Sequence, residues 1–401
     1  MKKNLIERGK KLIYWYSKEK PLYLLPFIFF SLFIWILVAN ATYKFLNLKK
    51  KEKKKKVIAF TSLYYNGNAK AVYEYMRKDK NYMCYWIARN RRSFLDVKRG
   101  GGYVVYCYFP FVEAKHILNT DAVVTNDSFL PILFPHKPKT IQLWHGVGPK
   151  GIEGDDYTLC DARCVSSRYT KRRHIELWNA PPEKLYVTGF ARMDFLYNYL
   201  KIPKEKLLEE IKIKNNRKII LYAPTFDIGL WPWGNPYKEF EKLCKWCEEN
   251  KLTLILRLHP LAKINKRRLK KLIKKYDGVY WLDMPKEPDT MKLLAVADIL
   301  ITDWSSIYTD YFLTKRPIIY LEVEPEYYTK KRGKPEIPPE YRAGEIVHNN
   351  EEFYKVLNIV LEEGNRHKEK QEELLKIIHG NVDGKASKRV AKVIEELLHR
   401  A

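Results

Sequence analysis

Hydrophobic residues in this chain fall into short, nearly continuous runs separated by longer stretches with helical spacing. A first series of runs lies at 57–61, 82–88, 103–106, 122–126, 140–144, 163–166 and 185–189, and a second at 218–222, 252–258, 279–282, 299–302 and 317–321. Continuous rather than alternating apolar runs are expected of strands whose two faces are both covered by helices, as in a parallel sheet. The pattern therefore predicts an α/β protein of two doubly wound domains, 57–200 and 201–401. Their boundary falls within 195–217, where a charged helical patch at 204–213 replaces the strand pattern, and amphipathic helices at 351–363 and 387–399 close the chain. No GxxxxGK[ST] and no internal repeat is present, so a P-loop enzyme is not indicated.

Polar clusters stand at the ends of these runs, which is where open α/β sheets bind ligands. WHGVGPK (144–150) places His145 after a strand, followed by two glycines and Lys150. A near-neutral imidazole is the usual general base for a hydroxyl nucleophile, and glycines let backbone approach a ligand closely. The bland alternative is a structural histidine. LRLHP (256–260) sets Arg257 and His259 two residues apart with Pro260 ending the strand, a pair that can neutralise a pyrophosphate or simply pack. In TDWSSIYTDYFLTKRPIIY (302–320), Asp303, Ser305 and Ser306 lie between a strand and a helix start. That suits a phosphate or ribose cradle, although a serine there can equally be an N-cap. Together these motifs predict an enzyme whose site is divided between the two halves of the chain.

Charge modifies this picture at one end only. The 401 residues carry 74 Lys and Arg against 47 Asp and Glu, a net charge of +27. Residues 1–56 hold 14 Lys and one Arg against three Glu, which is 15 minus 3, or +12. This charge brackets an apolar stretch at 22–41, about the length that crosses a bilayer core. The expectation is a retained membrane anchor with the catalytic domains on the cytoplasmic side. Because lysine clusters flank the stretch on both sides, an anchor lying in the membrane surface with both clusters at anionic headgroups is the alternative, and a buried core helix is the third reading. The remaining excess is spread over solvated helices, so a nucleic-acid partner is not expected. The six cysteines, Cys84, Cys107, Cys160, Cys164, Cys244 and Cys247, show no repeated metal spacing and are expected as packed or surface thiols.

In this order, the motifs WHG with Lys150, Gly189-Arg192-Asp194, Tyr222-Ala223-Pro224-Thr225, Arg257-His259-Pro260 and Thr302-Asp303-Ser305-Ser306-Asp310-Tyr311 with Lys315 resemble the CDP-glycerol glycerophosphotransferase family of teichoic-acid-type primases and polymerases. NAKAVYEYM (68–76) and VVTND (123–127) resemble that family's first domain. The resemblance implies a GT-B architecture, two Rossmann-like domains facing across a cleft, with His145 and His259 meeting at the donor pyrophosphate. It implies substrate-binding roles for Lys150, Arg192, Asp194, Tyr222, Thr225, Arg257, Asp303, Ser305, Ser306 and Lys315. It also implies a CDP-linked donor, a lipid-linked or polymer acceptor, release of CMP, and no metal or other cofactor. A GT-B glycosyltransferase with a nucleotide-sugar donor would share the fold and many of these residues. The chain departs from the family pattern at Val147 and Gly148, and at Phe190, Ala191 and Met193, and the segment IEGDDYTL (152–159) is unusual.

Overall fold

The computed structural model describes residues 55–399 except 109, 128–132, 135, 153–159, 215–216, 260–261, 284–285 and 288, together with Phe30, Ser31, Ile34, Trp35, 37–39, Ala41 and Thr42. Pro260, the segment 153–159, the lysines at 49–54 and most of the apolar stretch at 22–41 thus lie outside the described residues.

Eight strands come from the first half: β1 (Lys56–Ser62), β2 (Tyr82–Ala88), β3 (Val104–Tyr106), β4 (Ala122–Thr125), β5 (Lys139–Gln142), β6 (Gly151–Ile152), β7 (Ala162–Val165) and β8 (Leu185–Val187). Seven come from the second: β9 (Ile219–Tyr222), β10 (Thr253–Leu256), β11 (Val279–Trp281), β12 (Ile299–Thr302), β13 (Ile318–Leu321), β14 (Lys334–Pro335) and β15 (Glu345–Val347). They assemble into a seven-stranded sheet in the order β3-β2-β1-β4-β5-β7-β8 and a six-stranded sheet in the order β11-β10-β9-β12-β13-β15. Every pairing within these two sheets is parallel. The continuous apolar runs have the expected cause: β9, β10, β12 and β13 are buried at every residue, with helices on both faces.

In each sheet the strand order reverses beside the first strand, between β1 and β4 and between β9 and β12. Crevices open at such reversals. The loops after β4, β5, β9, β10 and β12 carry the motifs, so both crevices face the same cleft.

The two domains are knitted together at several places. Strand β14 pairs antiparallel with β6, bringing the second half of the chain against the first. The last helix, Ala386–His399, returns to the first domain, where Val390, Ile394 and Leu398 pack with Ile58, Phe60 and Trp86 in one core. The first domain therefore extends beyond 57–200 to include this helix. All six cysteines are buried.

Part of the apolar stretch is also packed. The described residues from Phe30 to Thr42 are helical, and Trp35 (1% exposed) and Ala39 join the core beneath β1, β2 and β4. Ser31 Oγ donates to the Tyr108 carbonyl at 3.1 Å and Trp35 Nε1 to the Leu133 carbonyl at 2.9 Å. Among the described residues no helix is long and apolar enough to cross a membrane.

Candidate active site

The turn that carries His145 is held in an uncommon shape. Trp144, the first residue of the motif, has φ +57°, a left-handed conformation that costs a non-glycine residue energy unless its surroundings impose it. Asn68, 2% exposed at the start of the helix Gly67–Met76, donates to the carbonyls of Leu143 at 3.1 Å and Trp144 at 3.0 Å. The Trp144 amide donates to Gln142 Oε1 at 3.0 Å. The Asn68 side-chain oxygen accepts the amide of Arg192 at 3.0 Å, tying the motif at 189–194 to the same turn.

The glycines that follow serve a contact between domains. A Cβ on Gly146 would lie 2.8 Å from Ser306 Oγ, and one on Gly148 would lie 2.9 Å from Ser306 Cβ, so the second domain's serine fits only against bare backbone. Thr309 Oγ1 donates to the Val147 carbonyl at 3.2 Å, and the Val147 side chain is fully buried. The departure from the family pattern at Val147 and Gly148 therefore falls at the domain contact. Ser306 does not cap the short helix Ile307–Tyr311 with its side chain, whereas Ser305 Oγ accepts the Ile307 amide at 3.4 Å.

Arg192 and Asp310 form a second crossing. The guanidinium donates from Nε and Nη2 to the two Asp310 oxygens at 2.8 and 2.9 Å, and from Nη1 to the His145 carbonyl at 3.3 Å. This forked pairing is among the strongest side-chain contacts, and both groups are buried. Asp194 accepts the amides of Ala386 and Ser387 at 2.9 and 2.8 Å and so fixes the start of the returning helix. Thr225 donates its amide at 2.9 Å and its hydroxyl to the carboxylate of Asp303, which is fully buried. Burial pushes the Asp303 pKa up to about 6 despite these donors. Tyr222 turns into the second domain's core, 5.3 Å from the Trp231 ring.

Arg257 and His259, which strand spacing places together, have different surroundings because β10 ends at Leu256. Arg257 is buried, with Nη1 donating to the carbonyls of Leu282 and Glu287 and Nη2 to Thr290 Oγ1. It braces the loop after β11. Burial lowers its pKa to about 10, which leaves it charged at neutral pH. His259 opens to the cleft.

Around the Phe226 ring the structure gathers three groups from both domains. Lys150 Nζ from the first domain lies 5.6 Å from the ring centroid, the His259 ring 5.1 Å and the Arg332 guanidinium 5.3 Å. Arg332 also pairs with Asp227 at 2.6 Å. Their mutual effect is legible in their protonation. Burial first, and then Lys150, Arg257 and Arg332, lower the His259 pKa to about 4, opposed by Asp227. Burial first and Arg332 next lower that of Lys150. His145 likewise has its pKa lowered by its protein surroundings, then by Arg192 and Lys150, against the pull of Asp127 and Glu336. Its ring nonetheless faces open cleft. A neutral imidazole next to a concentration of positive charge can accept a proton while an anion occupies the cationic groups.

Arg332 and Glu336 escape a reading of sequence pattern, because they stand in loops without periodicity. Phe226 and Asp227 carry a local hint, directly following Tyr222-Ala223-Pro224-Thr225. Lys315 does not join the cleft: it precedes β13, at the opposite end of the sheet from Ser305, and pairs with Glu372 at 2.8 Å.

Comparison with known proteins agrees with this architecture. A structure of the wall teichoic acid polymerase TagF superposes with a TM-score of 0.69 at 20% identity, over 90% of this chain and 94% of that one. Staphylococcus aureus MnaA with UDP superposes at 0.55 with 13% identity, over 86% and 97%. At these identities the likeness is one of fold. The teichoic acid ribitol-phosphate polymerase TarL of Staphylococcus aureus is 26% identical over 348 residues, 79% of this chain and 58% of its own length. The teichoic acid poly(glycerol phosphate) polymerase of Bacillus subtilis is 26% identical over 322 residues, 72% of this chain and 42% of its own. The chain thus spans about half the length of these two relatives. Since the sequence profile of one family matches residues 42–396, nearly the whole of both domains, the chain belongs to the CDP-glycerol:poly(glycerophosphate) glycerophosphotransferase family.

Proposed function

We propose that this protein transfers a glycerol-phosphate or related polyol-phosphate group from a CDP-linked donor to a hydroxyl of a membrane-associated acceptor. The observation that carries the reading is the meeting of Lys150, His259 and Arg332 around Phe226, on the cleft that His145 also faces. In the reaction the acceptor oxygen attacks the β-phosphorus, the new P–O bond forms, and the bond to the CMP oxygen breaks. His145 takes the acceptor proton. Lys150, His259 and Arg332 offset the charge that collects on the pyrophosphate oxygens and on departing CMP. Arg192, Asp194, Thr225, Asp303 and Arg257 hold the loops that position these groups. Incubation with CDP-glycerol, CDP-ribitol and UDP-sugars, with a polyol-phosphate acceptor, tests the assignment. CMP release from a CDP-polyol is expected; UDP release alone would assign the protein to sugar transfer instead.

Donor binding should be linked to proton uptake. With its pKa near 4, His259 is neutral at pH 7. A pyrophosphate diester, which does not itself titrate near neutrality, raises that pKa by adding negative charge beside the ring. Affinity for CDP-glycerol should therefore rise as pH falls through the raised pKa and level off below about 4. Calorimetry in buffers of different ionisation enthalpy measures the proton taken up, and His259→Ala should remove most of it. A flat pH dependence in the unaltered protein would refute the linkage.

The membrane placement rests on the helix around Trp35. Its inward residues pack on the first domain, while Phe30, Leu37 and Val38 are 65, 57 and 47% exposed. An apolar outer face between lysine clusters suits a helix lying in an anionic, cytoplasmic membrane surface, with roughly 1 kcal/mol gained per basic side chain held there. Changing Leu37 and Val38 to glutamate leaves the Trp35 contacts in place. That variant should lose most binding to vesicles containing phosphatidylglycerol and retain CDP-glycerol binding; undiminished sedimentation with vesicles would exclude this surface.

A further inference from the structure

We infer that Glu336, contributed by the second domain, is a positioning residue that fixes the His145 turn through the Trp144 indole when the two domains meet. The inference rests on the functional reading of His145 given above. Glu336 is fully buried, directly after β14. Its Oε1 accepts the Trp144 indole N–H at 3.0 Å and lies 2.8 Å from Nε2 of His174, itself 1% exposed. Among the described residues Oε2 has no hydrogen-bond partner. A buried carboxylate with one oxygen unsatisfied is costly, so its retention calls for an explanation in what the other oxygen holds.

What it holds is the side chain of the residue in the left-handed conformation. The other restraints on Trp144 come from the first domain: Asn68 on its carbonyl, Gln142 on its amide, and the Arg163 guanidinium 4.7 Å from the ring. Glu336 adds a restraint from the second domain. The backbone that presents it is stitched to the first domain as well. Arg173 Nε donates to the Glu336 carbonyl at 3.0 Å and its Nη2 to the Pro335 carbonyl at 3.3 Å, and the Ile337 amide donates to the Gly148 carbonyl at 3.4 Å. The segment from β14 to Ile337 therefore brackets the turn on both sides of His145. The domain that supplies His259 and Arg332 also completes the geometry of the proposed base. A small misplacement of a reacting group can cost about 10²-fold in rate, so this restraint is enough to matter.

Three variants test it: Glu336→Ala, Glu336→Gln, which keeps an acceptor for the indole, and Trp144→Phe, which keeps the ring and removes the N–H. Glu336→Ala and Trp144→Phe should each lower kcat by about 10-fold to 10²-fold with the affinity for CDP-glycerol changed less than about threefold, and Glu336→Gln should recover most of the loss. A purely structural role would instead lower folding stability without this split. The second readout does not depend on turnover: the imidazole resonance of His145 in histidine-labelled protein, identified by its loss in His145→Ala. It should shift in Glu336→Ala and stay near its original position in Glu336→Gln; Trp144→Phe, whose ring lies 4.5 Å from that of His145 and moves the resonance by itself, is read by turnover alone. If Glu336→Ala does not fold, the split between kcat and affinity in Trp144→Phe decides. An unmoved His145 resonance in Glu336→Ala, or an unchanged kcat in Trp144→Phe, overturns the inference. Absence of CMP release by the unaltered protein overturns the functional reading and leaves the resonance result to stand.

Discussion

Replacing His145 by alanine is expected to lower kcat by about 10²-fold or more, the usual scale for loss of a general base, while CDP-glycerol binding changes little. The separation follows from position: the cluster at Phe226 that we propose holds the pyrophosphate uses Lys150, His259 and Arg332, whereas His145 sits on the turn after β5. The pH profile supplies the sign. Desolvation by the surrounding protein and the cations Arg192 and Lys150 lower the His145 pKa from its ordinary value, so the ring is neutral and able to accept a proton at neutral pH. Activity should fall as pH drops through that lowered value, and His145→Ala should lack this acid limb. Single-turnover CMP release measured from about pH 5 to 8 tests both statements, and near-normal turnover by the alanine variant would remove the assignment.

Breaking the Arg192–Asp310 pair should have the largest effect on stability. Both groups are buried, and removing one leaves the other's charge without compensation, a loss of about 3–5 kcal/mol in comparable buried pairs. Arg192→Ala also frees the His145 carbonyl from its 3.3 Å donor, so activity should fall beyond what unfolding explains. Lysine is a poor substitute, because one ammonium cannot reproduce the two parallel bonds at 2.8 and 2.9 Å. A double replacement, Arg192→Met with Asp310→Leu, should be less destabilising than Arg192→Ala, since no isolated charge remains. Urea unfolding of these variants measures the difference. Equal loss in the single and double variants would show that the pair contributes no more than its packing.

These two residues stand in separate motifs, at 189–194 and 302–320, yet they answer each other. The same holds for Gly146 and Gly148, whose missing side chains leave room for Ser306, and for Thr225, whose hydroxyl and amide meet Asp303. Much of what the motifs share is thus the fit of one domain to the other. Among the described residues, His145, His259, Lys150 and Arg332 are groups that these contacts leave facing the cleft.

Sequence by itself determined the layered α/β architecture, because burial of both sheet faces leaves a local trace in the continuous apolar runs of β9, β10, β12 and β13. It also determined that His145 and Ser306 follow strands, because a strand's end is marked by a change from apolar to polar residues within a few positions. The very short strands β6 and β14 left no such trace, being two residues each. Only the tertiary structure decided partners. Nothing local distinguishes Arg257, folded under the loop after β11, from His259 two residues on. Nothing local joins Arg332 to Phe226 or Glu336 to Trp144, or returns the helix Ala386–His399 to the first domain. Periodicity records which face of an element is buried, whereas the partner of a polar side chain depends on which loops converge, and that is settled by how the two sheets and their crossing strands pack.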